Sequence, residues 1–501
     1  MKPVAAAFSA VITLVLAWGL WYMTTPVFNF SFVESYIFVA FVIAIFGAFL
    51  GLFGNKNAMA LSLVVAFLLF GGSIAIASLS SWSLFHTEAY RAQLGVEEKA
   101  TLSTSLPPLQ LDKAPLVSED MAERAAEKSL ATDANLGSQV NLSRPTRQIV
   151  DKKLVWVSFL QPRDFFKWLK DGHTPGYVVV DANDASNVQL VTQLHGKPLA
   201  LRYTRGAFFG DDVERHLYQA GFRTVGLTDF SEELDDEGNP YYVVTLYQHT
   251  IGFNGDEATG VATVDAQTGE VKQYGINDAP AWIDRIQPAW FVKEQAQNRG
   301  YYAAGWFNPS DTDRTEVSSV DLVYAADGHA DYYVGMTSLG KKSGLIGFML
   351  VDSRTKKVKS YVLSGASEQA AIAAAEGVLP EKHYTATAAL PFMLNSTPTY
   401  AMTMRDATGI ARGFALVSIH DISKVVVADT LQAASRQYQM KLSQDPTSVQ
   451  GSTAVTNQTL TGTVSLIGSD IRNGNTLYYF TLDSMPGRIF MVRPTCPSKS
   501  P

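Results

Sequence analysis

Ser338 and Lys341 stand in the S-x-x-K spacing, in which a lysine can deprotonate a serine nucleophile. That chemistry needs a helix, which places both groups on one face. Gly340 and the extended, apolar flanks predict a hairpin instead. The overlapping stretch "GMTSLGKK", Gly335 to Lys342, approaches the phosphate-binding G-x-x-x-x-G-K-[ST] loop. Lys342 replaces the hydroxyl residue that would hold Mg²⁺, and the following "SGLIGFMLVD" reads as a strand where the phosphate site needs a helix N-terminus. "SEELDDEGNP", Ser231 to Pro240, concentrates carboxylates without the spacing of a calcium loop and is predicted to be a solvated loop. The eight histidines include no H-E-x-x-H pair, and His216 is read as helix surface or packing. Trp168, Trp282, Trp290 and Trp306 could line a ligand groove; packing between structural units is the favoured role. No catalytic, cofactor-binding or metal-ligating residue is assigned from the sequence, and no cofactor.

Aspartate recurs more tellingly. "GYVVVDANDASNVQLV" begins at Gly176, "GVATVDAQTGEVKQY" at Gly260, "GFMLVDSRTKKVKSYVL" at Gly347 and "GFALVSIHDISKVVV" at Gly413. Self-similarity of this kind outranks any short motif. Each copy follows an aromatic or β-branched run ("KLVWVSFL", "PYYVVTLYQ", "DYYVGMTS", "TYAMTM"). A helical stretch lies further upstream, beginning near Ser118, Asp211, Pro288 and Ser367, with Ser118 as a candidate N-cap. A helix followed by strands is thus written four times. Asp181, Asp265 and Asp352 are read as turn caps, because Ser418 holds that place in the fourth copy and can cap but cannot replace a catalytic carboxylate. Gly269 is expected at a positive φ in its turn.

The elements that hold these units begin in lipid. Val4 to Met23, Ser35 to Phe53 and Ala58 to Leu79 are three apolar runs, each long enough to span a bilayer as a helix. Trp18, Trp21, Tyr22 and Met23 replace the small residues of a signal-peptide cleavage site, so a retained anchor is expected. Lys2 and Lys56 against Glu34 place the N-terminus in the cytoplasm and everything beyond Trp82 outside, although Arg91 and Lys99 follow soon after the third span. The expected division is a three-span anchor over 1–82, a linker over 83–117, and four units over 118–205, 206–280, 281–365 and 366–443. A linker over 444–458 and a small β, OB-like or simply structural, tail over 459–501 complete it. At 501 residues several domains are required. The net charge of −7 without a basic cluster argues against a nucleic-acid partner. The single cysteine, Cys496, excludes an internal disulfide.

The units resemble the PepSY domain, a small helix-plus-antiparallel-sheet module of bacterial extracytoplasmic proteins, best in "YYVVTLYQ…GVATVDAQTGEVKQY". Over residues 105–430 the chain is also similar to an uncharacterised family of multi-pass bacterial membrane proteins. The resemblance is carried by "LPPLQLDKAPLVSEDMAERAAEKSL", "FFKWLKDGHTPGYVVVD", "APAWIDRIQPAWFVKEQ", "GMTSLGKKSGLIGFMLVDSRTKKVKSY", "GASEQAAIAAAEG" and "TPTYAMTMRDATGIARGFALVSI". It implies an α+β fold of tandem PepSY-like units behind a membrane anchor, and a role in restraining peptidases or in envelope interactions. It brings no site residues, and a shared fold does not fix function. The expected protein sits in the cell (inner) membrane as a multi-pass, non-catalytic interaction or scaffold protein. Its partners are the lipid bilayer and another envelope protein. The alternatives are an envelope hydrolase or a component of a secretion or DNA-transfer apparatus.

Overall fold

A computed structural model of the chain describes residues 3–100, 117–131, 134–324, 328–339, 344–443, 463–472, 475–482 and 490–492. Three helices open it: α1 (Pro3–Thr24), α2 (Val33–Leu52) and α3 (Lys56–Ser80). All three are long and apolar enough to cross a membrane. Their large side chains face outward: Leu14, Phe67 and Leu68 are more than half exposed, as a lipid solvent permits. Small residues let α2 and α3 approach closely. A Cβ at Gly47 would meet the Ser62 side chain at 2.4 Å.

The rest of the first compact unit, which runs to Gln444, is α/β. Among the described residues it holds four larger sheets, antiparallel in their main strands and each preceded by a helix: Glu119–Ala131, Val213–Gln219, Ala289–Tyr301 and Glu368–Glu376. Sheet one is built on Lys153–Pro162, Tyr177–Asp181 and Val188–Val191, with Val140–Leu142 and Thr146–Val150 sharing the edge of the first. Sheet two is a meander of Gly226–Leu234, Pro240–Ile251, Asn254–Asp265 and Val271–Gly275. Sheet three repeats it with Thr315–Tyr324, Ala330–Ser338, Leu345–Asp352 and Val358–Gly365. Sheet four places Thr385–Ala386 and Leu390–Leu394 beside Thr397–Arg405, then Ala411–Ser418 and Val425–Ala428.

Apolar residues on both faces of these strands force the sheets together in pairs. Val157, Phe159 and Tyr177 of sheet one share a core with Tyr242, Val244 and Val264 of sheet two. Tyr333, Phe348 and Tyr361 of sheet three share another with Tyr400, Met402 and Val417 of sheet four. Helices Glu119–Ala131, Ala289–Tyr301 and Leu431–Ser443 cover the outer faces of sheets one, three and four. A loop carrying Ala279, Ile283 and Ile286 covers that of sheet two.

Two local expectations change. The stretch read as a linker over 83–117 with a helical start does open on a helix, Ser83–Ala92, but it also contains a strand, Glu97–Lys99, that joins sheet three parallel to Val358–Gly365. Three residues are too few to carry a strand period, so only the open sheet edge reveals them. Ser118 precedes its helix as expected, yet its hydroxyl is buried without a partner and does not cap. In the second compact unit, Asp445–Pro501, the strands Val464–Arg472, Asn475–Leu482 and Phe490–Val492 form an antiparallel sheet.

The recurrent glycines have one physical cause. Gly176, Gly260, Gly347 and Gly413 each sit where the next strand's carbonyl comes too close for a side chain. A Cβ there would lie 1.9, 2.2, 2.5 and 2.7 Å from the carbonyl oxygens of Val191, Tyr274, Tyr361 and Ala428. Each strand then ends on its capping residue. Asp265 Oδ1 accepts from Gln267 N and Thr268 N at 2.8 and 2.9 Å, and Asp352 Oδ1 from Arg354 N and Thr355 N at 2.9 and 2.8 Å. Asp181 accepts from Asn183 N at 2.8 Å, and Ser418 from Asp421 N at 3.3 Å. Gly269 has φ +76°.

Gly260→Ala is expected to destabilise the protein by about 2–3 kcal/mol, since strand and carbonyl must separate. Asp265→Asn should cost under about 1 kcal/mol, because Asn accepts the same amide bonds. Denaturant unfolding in detergent measures both; equal losses would remove the steric account of the glycine.

Candidate functional site

Sheets one, two and three meet around a cavity of about 370 Å³ lined by Arg144, Arg147, Trp156, Asp229, Phe230 and Arg285, among others. Strand Thr146–Val150 supplies Arg147, and the loop that covers sheet two supplies Arg285. Asp229 is placed by a bulge in Gly226–Leu234, where the register against Pro240–Ile251 slips between Val243 and Thr245. Its φ of +46° is the left-handed conformation that such bulges use to re-aim a side chain.

The loop is tied to sheets two and three. Thr245 Oγ1 donates to the Ile286 carbonyl (2.9 Å), Ser353 Oγ to the Asp284 carbonyl (2.6 Å) and Tyr332 Oη to the Gln287 carbonyl (2.8 Å). Ile149 N donates to Asp284 Oδ2 at 2.8 Å, which brings sheet one to the same loop. Arg147 lies 5.4 Å from the Trp156 ring centre and 5.5 Å from that of Tyr324, whose hydroxyl donates to the Arg147 carbonyl at 3.0 Å.

The charges here are heavily perturbed. Burial pushes Arg147 below its ordinary value, opposed by Tyr324 and Asp321, while the Arg285 charge adds to the fall. For Arg285 burial also acts downward, but Asp229, Tyr332 and Glu233 outweigh it and hold the guanidinium above its usual range. Burial lifts Glu233 from 4.5 to about 8 and Asp284 from 3.8 to about 6. Ser231 lines the cavity and donates to Glu233 Oε1 at 2.7 Å, whereas Glu233 Oε2 is buried without a partner.

"SEEL", expected in a solvated loop, is therefore buried strand. Glu232 and Glu233 are 4% and 1% exposed. Glu232 accepts from the Ser143 hydroxyl, from Phe159 N (2.7 Å), Gln161 Nε2 (3.2 Å) and Tyr242 Oη (2.7 Å), donors supplied by both sheets of the pair. Asp235, just beyond, caps a turn by accepting from Asn239 N at 2.8 Å.

The other sequence candidates are dispersed. Ser338 is exposed at the end of its strand; Gly340, Lys341 and Lys342 lie outside the described residues, as do Lys2 and Cys496. His216 packs on Tyr203 and meets the Gly269 carbonyl at 2.8 Å. Trp282 stacks on Tyr241 at 5.1 Å, but Trp290 and Trp306 are 45% and 40% exposed and do not pack between sheets. Trp290 meets the Phe291 ring edge-on at 4.1 Å, and Trp168 packs on Phe165, Phe208 and Phe209.

A second cluster joins His329, Asp331 and Asp352, whose ligand atoms lie within 4.8 Å of one another. Asp331 and Asp352 face each other across two strands, a like-charge pairing that His329 bridges at 3.3 and 3.2 Å. The three could offer ligands to one divalent ion. Spacing in the sequence does not show this, since strand pairing assembles the trio. Arg147 and Arg285 were missed because each is a single arginine in a segment without counterparts in the other units. Compared with known proteins, the chain matches no family model and no curated sequence.

Between pH 4.5 and 8 the folded chain keeps a proton on Glu233 that the unfolded chain has released. Stability should therefore fall as pH rises through that window. Glu233→Gln is expected to flatten the fall and to raise stability at pH 8 by on the order of 2–4 kcal/mol. Denaturant unfolding at pH 5 and pH 8 checks it; an unchanged slope would mean that Glu233 ionises normally.

Proposed function

We propose that this chain is a membrane-anchored interaction protein of the bacterial cell envelope, multi-pass in the inner membrane, with its α/β region outside the cytoplasm. One observation carries the reading: the α/β region is seated on the anchor. Tyr218 Oη donates to the Pro26 carbonyl and Phe28 N to the Arg223 carbonyl, both at 2.7 Å; Phe253 N donates to Ser81 Oγ at 2.8 Å. Arg215 reaches the Tyr22 carbonyl at 3.1 Å, and Phe32 packs 4.2 Å from the His249 ring. The end of α1, the start of α2 and the end of α3 thus all meet sheet two and its helix, and the Asn55 turn lies at the other end of the spans. Such seating holds a binding surface at a set height and angle above lipid, which suits recognition of a membrane-proximal partner. In this reading the four units are PepSY-like modules, and the positions of Lys2 and Lys56 put the Asn55 turn in the cytoplasm.

A hydrolase of envelope material is the second reading. It is favoured by the Ser231 hydroxyl resting on the Glu233 carboxyl at the cavity wall. Its serine is 5% exposed, and the carboxyl lifted to about 8 holds its proton at neutral pH, which makes it a poor base. Binding is therefore the better account of the same residues.

A phosphatase reporter that works only outside the cytoplasm should be active when fused after Ala92 and silent at Asn55; the reverse pattern would overturn the orientation. Ser231→Ala should still complement a deletion strain. Loss of complementation with normal folding and insertion would instead support the hydrolase. In-cell crosslinking of the tagged chain should then recover an envelope protein.

A further inference from the structure

The cavity at the junction of sheets one, two and three is lined by more guanidinium than carboxylate. Its lining holds three arginines (Arg144, Arg147, Arg285) and two carboxylates (Glu119, Asp229). Arg144 is committed to Glu119. On the cavity wall Arg147 and Arg285 share one carboxylate, Asp229, while Asp321 lies near Arg147 and Glu233 near Arg285 outside the lining; among the described residues neither arginine is in an ion pair. They are close enough for each charge to oppose the other. Arg147 Nε is buried without a hydrogen-bond partner. One of its terminal nitrogens donates to the Leu322 carbonyl, so the fork is held in place.

Burying a guanidinium with part of its hydrogen-bonding capacity unmet is expensive, and a second one on the same cavity wall adds repulsion. The arrangement is stable where an anion lies between them, since a guanidinium fork matches two oxygens of a carboxylate or phosphate. Trp156 and Phe230 add apolar wall to this rim, and about 370 Å³ is within the range of small-ligand sites.

We propose that the junction cavity is a receptor for a small oxyanion-bearing ligand, with Arg147 and Arg285 gripping the anionic group and Trp156 and Phe230 contacting its body. The inference deepens the binding reading above and rests on it. Arg147 and Arg285 come from different parts of the fold, one from an edge strand of sheet one and one from the loop over sheet two. A bound anion would therefore tie sheets one, two and three together and report occupancy to the face beside the membrane.

The test uses the full chain in detergent, titrated with sodium phosphate and, separately, sodium acetate, against sodium chloride at matched ionic strength. Thermal unfolding is the readout. The expected result is a midpoint that rises with the logarithm of concentration for at least one oxyanion, beyond the chloride control. The two arms show whether tetrahedral or planar anions are preferred. Arg285→Gln should weaken the apparent affinity at least tenfold. Arg147→Lys, which keeps the charge but loses the fork, should weaken it as well and guards against a variant that fails to fold. A response no larger than with chloride, or one unchanged in Arg147→Lys, overturns the proposal. Neither result touches the reporter and crosslinking readouts, so a wrong ligand class is distinguishable from a wrong function.

Discussion

A carboxylate shut between two sheets must find donors for its lone pairs, and Glu232 finds four of them around the seam of sheets one and two. Burial raises its proton affinity, and those donors pull it back. Sheet one supplies Phe159 N and Gln161, while sheet two supplies Tyr242. If the sheets slid past one another, the carboxylate would lose these partners together, at a cost of several kcal/mol. Sheets three and four have a comparable point, where Tyr333 donates to Glu368 at 2.8 Å. Apolar burial drives the pairing; the buried acids set its register.

That register has consequences at the junction. Holding sheet one against sheet two brings Arg147 towards Arg285, and the loop that carries Arg285 is fixed by sheets two and three. The bulge at Asp229, the lifted Glu233 carboxyl and the orphan Arg147 Nε all lie in this one region. Each is unfavourable taken alone. Strain and unpartnered polar atoms gathered at one place, supported by satisfied hydrogen bonds around it, are the features on which the proposal of a ligand site rests.

Seating on the membrane helices extends the same logic. Sheet two and its helix contact the α1–α2 connection and the end of α3, so sheet two is held against the three apolar helices by direct contacts. The strand Glu97–Lys99 and the helix Ser83–Ala92 continue that attachment into sheet three.

The sequence alone determined the three apolar spans, the fourfold glycine–strand pattern that ends on aspartate in three copies and on Ser418 in the fourth, the helix before each sheet and the turn role of Asp181, Asp265 and Asp352. All of these are local: length in lipid, a period along the chain, or a side chain bonding an amide two or three residues on. The pairing of sheet one with two and three with four, and the strand at Glu97–Lys99, rested on which faces and edges were left uncovered once the sheets had formed. "SEEL" was misjudged because its charge predicts solvent, and only a neighbouring sheet could provide the donors that let Glu232 stay inside. The junction site was invisible for the same reason. Arg147 and Arg285 are 138 residues apart in the chain, and no spacing rule joins them. Tertiary structure decided their meeting, because the contacts that bring them together belong to three sheets at once.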